Sequence, residues 1–147
     1  MTASGKFAPK LMIVQVHAAE FCLNPNGELA GDVRLGSLEF DRVWLQAEVA
    51  DIAAEAVLLN DTTGQIEVHL QPANPFHAKF LAEVKVGDYV CAIGQVQVTT
   101  YEGSDTPEII LEAHQVAILP DAEQRRQLWQ SELTELQSKV YGFNIQQ

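Results

Sequence analysis

The sequence predicts an all-β domain, a single small barrel, followed by one C-terminal α-helix. Three observations carry that fold class. Between Arg42 and Leu119, short segments of strand composition alternate with turn signals. A glycine, Gly94, sits inside one of these strand patterns, where it suits a bulge or a sharp barrel corner. After Leu119-Pro120 the apolar period changes from two to that of a helix.

Residues 1–9 read as a loose arm. In Leu11-Met12-Ile13-Val14-Gln15-Val16 the β-branched density favours a strand over a helix running to Glu20. Asn24-Pro25-Asn26-Gly27 is a turn cluster, and Val33 to Phe40 has turn-and-strand character leading into Trp44. The first barrel strand opens at Arg42-Val43-Trp44-Leu45. Val57 to Leu59 and Ile66 to Leu70 then form a hairpin around Asn60 to Gly64, whose glycine supplies a positive φ. Residues 71–85 read as a loop with one short helical turn at Ala78 to Val84. In the strand that begins near Gly87-Asp88, Val90, Ala92 and Gly94 share one face. Thr99 to Thr106 is the loop before the last strand, Glu108 to His114. Strand, D-x-T-G hairpin, strand, long connection, G-D-x-V strand, strand is the order of a five-stranded oligonucleotide/oligosaccharide-binding (OB) fold, spanning residues 10–119.

Residues 120–142 form the helix, with 143–147 as a tail. Asp121 is placed to cap it and Glu123 complements its dipole. Trp129, Leu133, Leu136 and Val140 recur on one stripe, with Leu128 beside it, and Gly142 stops the helix.

Composition limits the chemistry. With 47% hydrophobic and 20% charged residues the chain is globular. Nine Lys and Arg against 20 Asp and Glu leave a net charge of −11, the wrong sign for a domain that holds phosphates unaided. Cys22 and Cys91 form no C-x-x-C pair, so neither a disulfide framework nor a zinc site is expected, and Cys91 reads as a small buried hydrophobe. No signal peptide or bilayer-length apolar run is present, which predicts an intracellular protein with no membrane partner.

No catalytic constellation emerges, so no enzymatic activity and no cofactor are expected. His17, His69, His77 and His114 make no H-x-x-x-H spacing, and no nucleophile elbow, phosphate loop or dinucleotide turn occurs. Asp61 and Asp88 beside Thr62-Thr63-Gly64 and Gly87 read as turn residues rather than a carboxylate pair. Stacking platforms for single strands are few. Trp44 has only Arg42 close by and reads as core or interface packing, while Tyr101 lies beside Glu102 and Asp105, which repel phosphate. The helix stripe has two readings. It closes the chain's own barrel, or it packs on a partner's helix with Trp129 as anchor.

The residues Val43-Trp44-Leu45-Gln46, Asn60-Asp61-x-x-Gly64, Gly87-Asp88-Tyr89-Val90 with Gly94, and Leu128-Trp129-x-x-Glu132-Leu133 together resemble the RecQ-mediated genome instability protein 2 family. The resemblance covers Leu11 to Tyr141. It implies a nuclear, non-catalytic OB subunit that pairs with an OB domain of RecQ-mediated genome instability protein 1. It also implies indirect association with topoisomerase III and a Bloom-type RecQ helicase, in double Holliday junction dissolution, recombination and DNA repair. A docking surface for a Fanconi-anaemia-type helicase peptide is part of the same implication, with little or no direct nucleic-acid binding. The partner-binding residues expected on this basis are Trp44, Leu128, Trp129, Leu133, Leu136 and Val140. Ala47, Gln115 and the long Pro72 to Phe80 insertion depart from the family pattern. Arg34-Leu35-Gly36-Ser37-Leu38-Glu39 is similar to a segment of the replication protein A middle subunit and its telomere-capping relatives. That alternative implies help in holding single-stranded DNA, with Trp44 and Tyr101 at the cleft.

Overall fold

A computed structural model describes residues 8–100, 103 and 106–140. The elements are α1 (Ile13–Ala18), β1 (Val33–Leu35), β2 (Leu38–Phe40), β3 (Arg42–Ile52), β4 (Ala56–Asn60), β5 (Gln65–His69), α2 (Pro75–Glu83), β6 (Tyr89–Thr99), β7 (Glu108–Ile118) and α3 (Ala122–Glu135). Strands β3 to β7 close into a barrel in the order β3-β4-β5-β7-β6, the OB fold. Its pairings are antiparallel except β5–β7, which is parallel and confined to Val68↔Leu111 and His69↔Glu112.

Period-two alternation builds the interior. Val43, Leu45, Ala47 and Val49 of β3 point inward, as do Val57 and Leu59 of β4, Ile66 and Val68 of β5, and Val90, Ala92 and Val96 of β6. Gly94 lies on the same inner face at a register shift. A Cβ there would overlap the carbonyl oxygen of Glu112 and lie 2.8 Å from Ala113 Cα, so the close approach of β7 requires glycine.

The opening segment is a helix, not the strand expected from its β-branched residues. Six residues are too few to hold a helix alone. Two tertiary partners and one side chain of its own first turn satisfy its free N–H groups. Ile13 donates to Asp61 Oδ2 at 2.8 Å, Val14 to Thr63 Oγ1 at 3.1 Å, and Met12 to Gln15 Oε1 at 2.9 Å. Ahead of it, within the span read as a loose arm, Pro9 accepts the Trp44 N–H at 2.9 Å; residues 1–7 lie outside the described residues.

Asp61 and Asp88 both act as turn residues. Asp61 Oδ1 accepts from Thr63 N and Oγ1 and from Gly64 N, and Asp88 Oδ2 accepts from Lys85 N. The positive φ of the hairpin falls on Thr62 (74°), not on Gly64 as expected. Asn60 Oδ1 holds Thr62 N there at 2.7 Å.

Helix α2 is longer than the turn expected over Ala78 to Val84. Asn74 caps it by accepting from Phe76 N at 2.9 Å, and Pro75 occupies the first position. Buried His77 ties it down, accepting Gln71 N–H at Nδ1 (3.0 Å) and donating from Nε2 to the His114 carbonyl on β7 (3.1 Å).

Helix α3 starts without the expected Asp121 side-chain cap. Asp121 is left-handed (φ 55°), and its carbonyl accepts Arg125 N–H at 3.0 Å. Regular helix ends at Glu135 and continues as a π-helical turn, Leu136–Val140. The stop expected at Gly142 lies outside the described residues. No helix is long and apolar enough to cross a membrane among the described residues.

Candidate partner interface

The two tryptophans meet. Trp44 projects from the outer face of β3, because the inward positions are the alternate ones, Val43 and Leu45. Trp129 comes down on it from α3, with ring centroids 6.4 Å apart and planes tilted by 40°. Lys10 Nζ sits 4.5 Å from the Trp44 ring centre and 5.8 Å from that of Trp129, and pairs with Glu132 at 3.1 Å. A cation, two indoles and a carboxylate thus staple α3 across β3.

A second layer repeats the motif. Arg126 lies 4.9 Å from the Tyr89 ring centre, with Glu48 at 3.6 Å and Glu123 at 3.2 Å. Burial pushes the Tyr89 hydroxyl up to about 12, against the opposing charge of Arg126 and helped by Asp61 and Cys91. Cys91 is half-buried, and burial raises its thiol too, with the Trp44 indole pulling the other way. In the π-helical turn that continues α3, Gln137 is fully buried and exchanges reciprocal amide bonds with Gln15 at 2.8 and 2.7 Å, joining that turn to α1.

Of the expected partner residues, Trp129 (4% exposed) and Leu133 (6%) are covered by the chain's own barrel. Trp44 is half-covered beneath them, and Leu136 is half-buried. Leu128 is 56% exposed on the flank of α3, and the Val140 side chain lies outside the described residues. Of the two readings of the helix stripe, packing on its own barrel is the one realised by Trp129 and Leu133. The buried line continues through Gln137, not Leu136, because residues 129, 133 and 137 are one turn apart each time. Sequence reading missed Lys10, Arg126 and Gln137. The signal was present only for Gln137, through its four-residue spacing.

The oligonucleotide cleft of an OB barrel lies across the outer faces of the strands corresponding to β4 and β5. Here β4, β5 and β7 carry no Lys or Arg. Their outward residues include Leu58, Glu67, His69, Glu108 and Glu112, and His69 bonds Glu67 at 2.8 Å. Trp44 lies on β3 under α3 rather than in this cleft, and Tyr101 lies outside the described residues. No group of three or more His, Cys, Asp and Glu gathers as a metal site among the described residues.

A family model described as RecQ-mediated genome instability protein 2 matches residues 7–137. No curated protein matches the chain in sequence. Among solved structures, the chain is similar to one from a replication protein A heterotrimer bound to ssDNA. That match is 19% identical, covers 95% of this chain and 100% of the other, and has a TM-score of 0.65. A chain of yeast RPA bound to ssDNA matches at 18% identity, 97% of both chains and a TM-score of 0.63. A chain of the S. pombe Stn1-ten1 complex matches at 18% identity over 90% of this chain and 96% of that one, with a TM-score of 0.59. At these identities the likeness is one of fold.

Proposed function

From the premise that the chain belongs to the RecQ-mediated genome instability protein 2 family, an OB-fold family of genome maintenance, we propose that it is a non-catalytic, nuclear scaffold subunit. It pairs with an OB domain of RecQ-mediated genome instability protein 1. Through that partner it stabilises a RecQ helicase–topoisomerase III complex for double Holliday junction dissolution and recombinational repair.

The observation that carries this reading is the stapled helix. Lys10, Trp44, Trp129 and Glu132 fix α3 as a rigid ridge on the barrel, and Leu128 stands exposed on its flank. A pre-ordered helix costs little entropy on association, and exposed Leu128, with half-buried Leu136 two turns further on, offers apolar contacts for a partner helix. Trp129 and Leu133 then act by holding the ridge in place, and Leu128 and Leu136 by touching the partner. The cleft supports the same reading, because its carboxylates repel phosphate.

The test is co-purification with the OB domain of the larger subunit. Leu128→Glu is expected to weaken capture at least about tenfold while leaving the melting temperature of the isolated chain unchanged. Undiminished capture would remove Leu128 from the interface. Salt-sensitive binding of a labelled single-stranded oligonucleotide by the chain alone would favour the replication protein A-like alternative.

A further inference from the structure

We propose that the gap between β5 and β7 is a docking groove for an extended, Lys/Arg-bearing segment of another protein, which adds as a strand beside the face on which an OB barrel usually accepts nucleic acid.

The first observation is an open edge. The two strands run parallel but pair only at Val68↔Leu111 and His69↔Glu112. Toward their N-termini they part. Gln65, Ile66 and Glu67 are paired on one side, to β4, and Glu108, Ile109 and Ile110 on one side, to β6. Between them lies a groove of about 280 Å³ bounded by these residues with Leu58 and His17. His17 Nε2 lies 2.6 Å from the Gln65 carbonyl, so one edge group is already engaged by a side chain rather than by a strand. A sheet edge of this kind accepts a further strand through main-chain hydrogen bonds.

The second observation is charge. Along β7 Glu108 and Glu112 are exposed with Ile110 covered between them at the floor, and across the gap stand half-buried Leu58 and Glu67. The surface is acid, apolar, acid. Neither Glu108 nor Glu112 forms an ion pair among the described residues, and β4, β5 and β7 supply no cation. An oligonucleotide entering here meets like charge. An extended peptide alternating basic and apolar side chains meets complementary charge at the rims and half-buried Leu58 at the centre, with alternate residues facing the same way. The chain's net charge of −11 adds long-range attraction for such a segment. This site is separate from the α3 ridge, and its failure would leave the pairing proposal untouched.

The test uses the full chain, isotopically labelled, titrated with a synthetic ten-residue Lys-Val repeat, the matching Glu-Val repeat and an oligothymidylate. The expected result is that only the basic peptide binds. Its amide shifts and exchange protection should concentrate at Gln65–Glu67 and Glu108–Ile110. The variant Glu108→Lys/Glu112→Lys changes two exposed residues and should keep the native spectrum. It should weaken the basic peptide about tenfold and weaken it less at high salt. Shifts centred elsewhere, equal affinity of the variant, stronger binding of the oligothymidylate, or no binding at millimolar peptide would each overturn the proposal.

Discussion

Trp129→Ala separates a helix that holds itself on the barrel from one held only by a partner. Trp129 is 4% exposed in the isolated chain, packed on Trp44 with a 6.4 Å centroid distance and flanked by Lys10. Removing a buried tryptophan from a core costs about 3–5 kcal/mol, and the tilted ring pair supplies about 0.5–1.5 kcal/mol of that. The groove over Trp44 opens to solvent once the indole is gone and so relaxes more than a sealed core. The lower part of the range, about 3 kcal/mol, therefore applies. For a domain of this size each kcal/mol moves the melting temperature by about 2–4 °C, so a fall of about 6–12 °C is expected. Circular dichroism melting of the purified chain without partner measures it. Leu128→Ala, at an exposed position of the same helix, is the control and should stay within about 0.5 kcal/mol of the parent. A shift below about 2 °C for Trp129→Ala would mean that the helix is not seated by its own barrel.

Three further outcomes follow from the geometry. Gly94→Ala drives a Cβ into the β7 backbone at Glu112 and Ala113 and should cost about 2–3 kcal/mol in urea unfolding; an unperturbed midpoint would contradict the close approach. Asp61→Ala removes the acceptor for Thr63, Gly64 and Ile13 and should cost about 2–3 kcal/mol, with Asp61→Asn recovering part of it. Tyr89 has its hydroxyl raised from 10 to about 12, so the folded state keeps a proton that the unfolded state gives up. Its stabilising contribution is complete below pH 10 and is lost as pH rises through about 12. Phenolate absorbance should show Tyr89 ionising late, and Tyr89→Phe should flatten the fall in stability above pH 10.

The barrel was legible because its signals are local. Alternating burial in β3 and β6 and the Asn60–Gly64 hairpin are each set by neighbours a few residues apart, and Gly94 stands out inside its strand pattern although its cause lies on β7. The charge balance was equally legible, and the cleft bears it on its strands. What failed depended on distant partners. Ile13 and Val14 are capped by Asp61 and Thr63, with sequence separations of 48 and 49, and no window around residue 13 contains that information. Asn74-Pro75 is a different failure, since both the cap and the first-turn proline are in plain sight, yet the helical turn expected over Ala78 to Val84 misses the start they mark. In the turn that continues α3 the weight given to apolar residues chose Leu136 over Gln137. The glutamine is buried because Gln15 meets its amide, a pairing across 122 residues.

That pairing and the Lys10–Glu132 contact bear on how the molecule comes into being. Both join segments 122 residues apart, so neither can form until nearly all the described chain has left the ribosome. The barrel strands are complete earlier, with Trp44 and Tyr89 still uncovered. The nascent barrel therefore passes through a stage with an aromatic outer face open to solvent, closed only when α3 arrives. Loop-closure entropy falls on this last step, which makes α3 docking the natural place for a delay in folding. It also makes that uncovered face the surface a chaperone, or an early-arriving partner subunit, meets first.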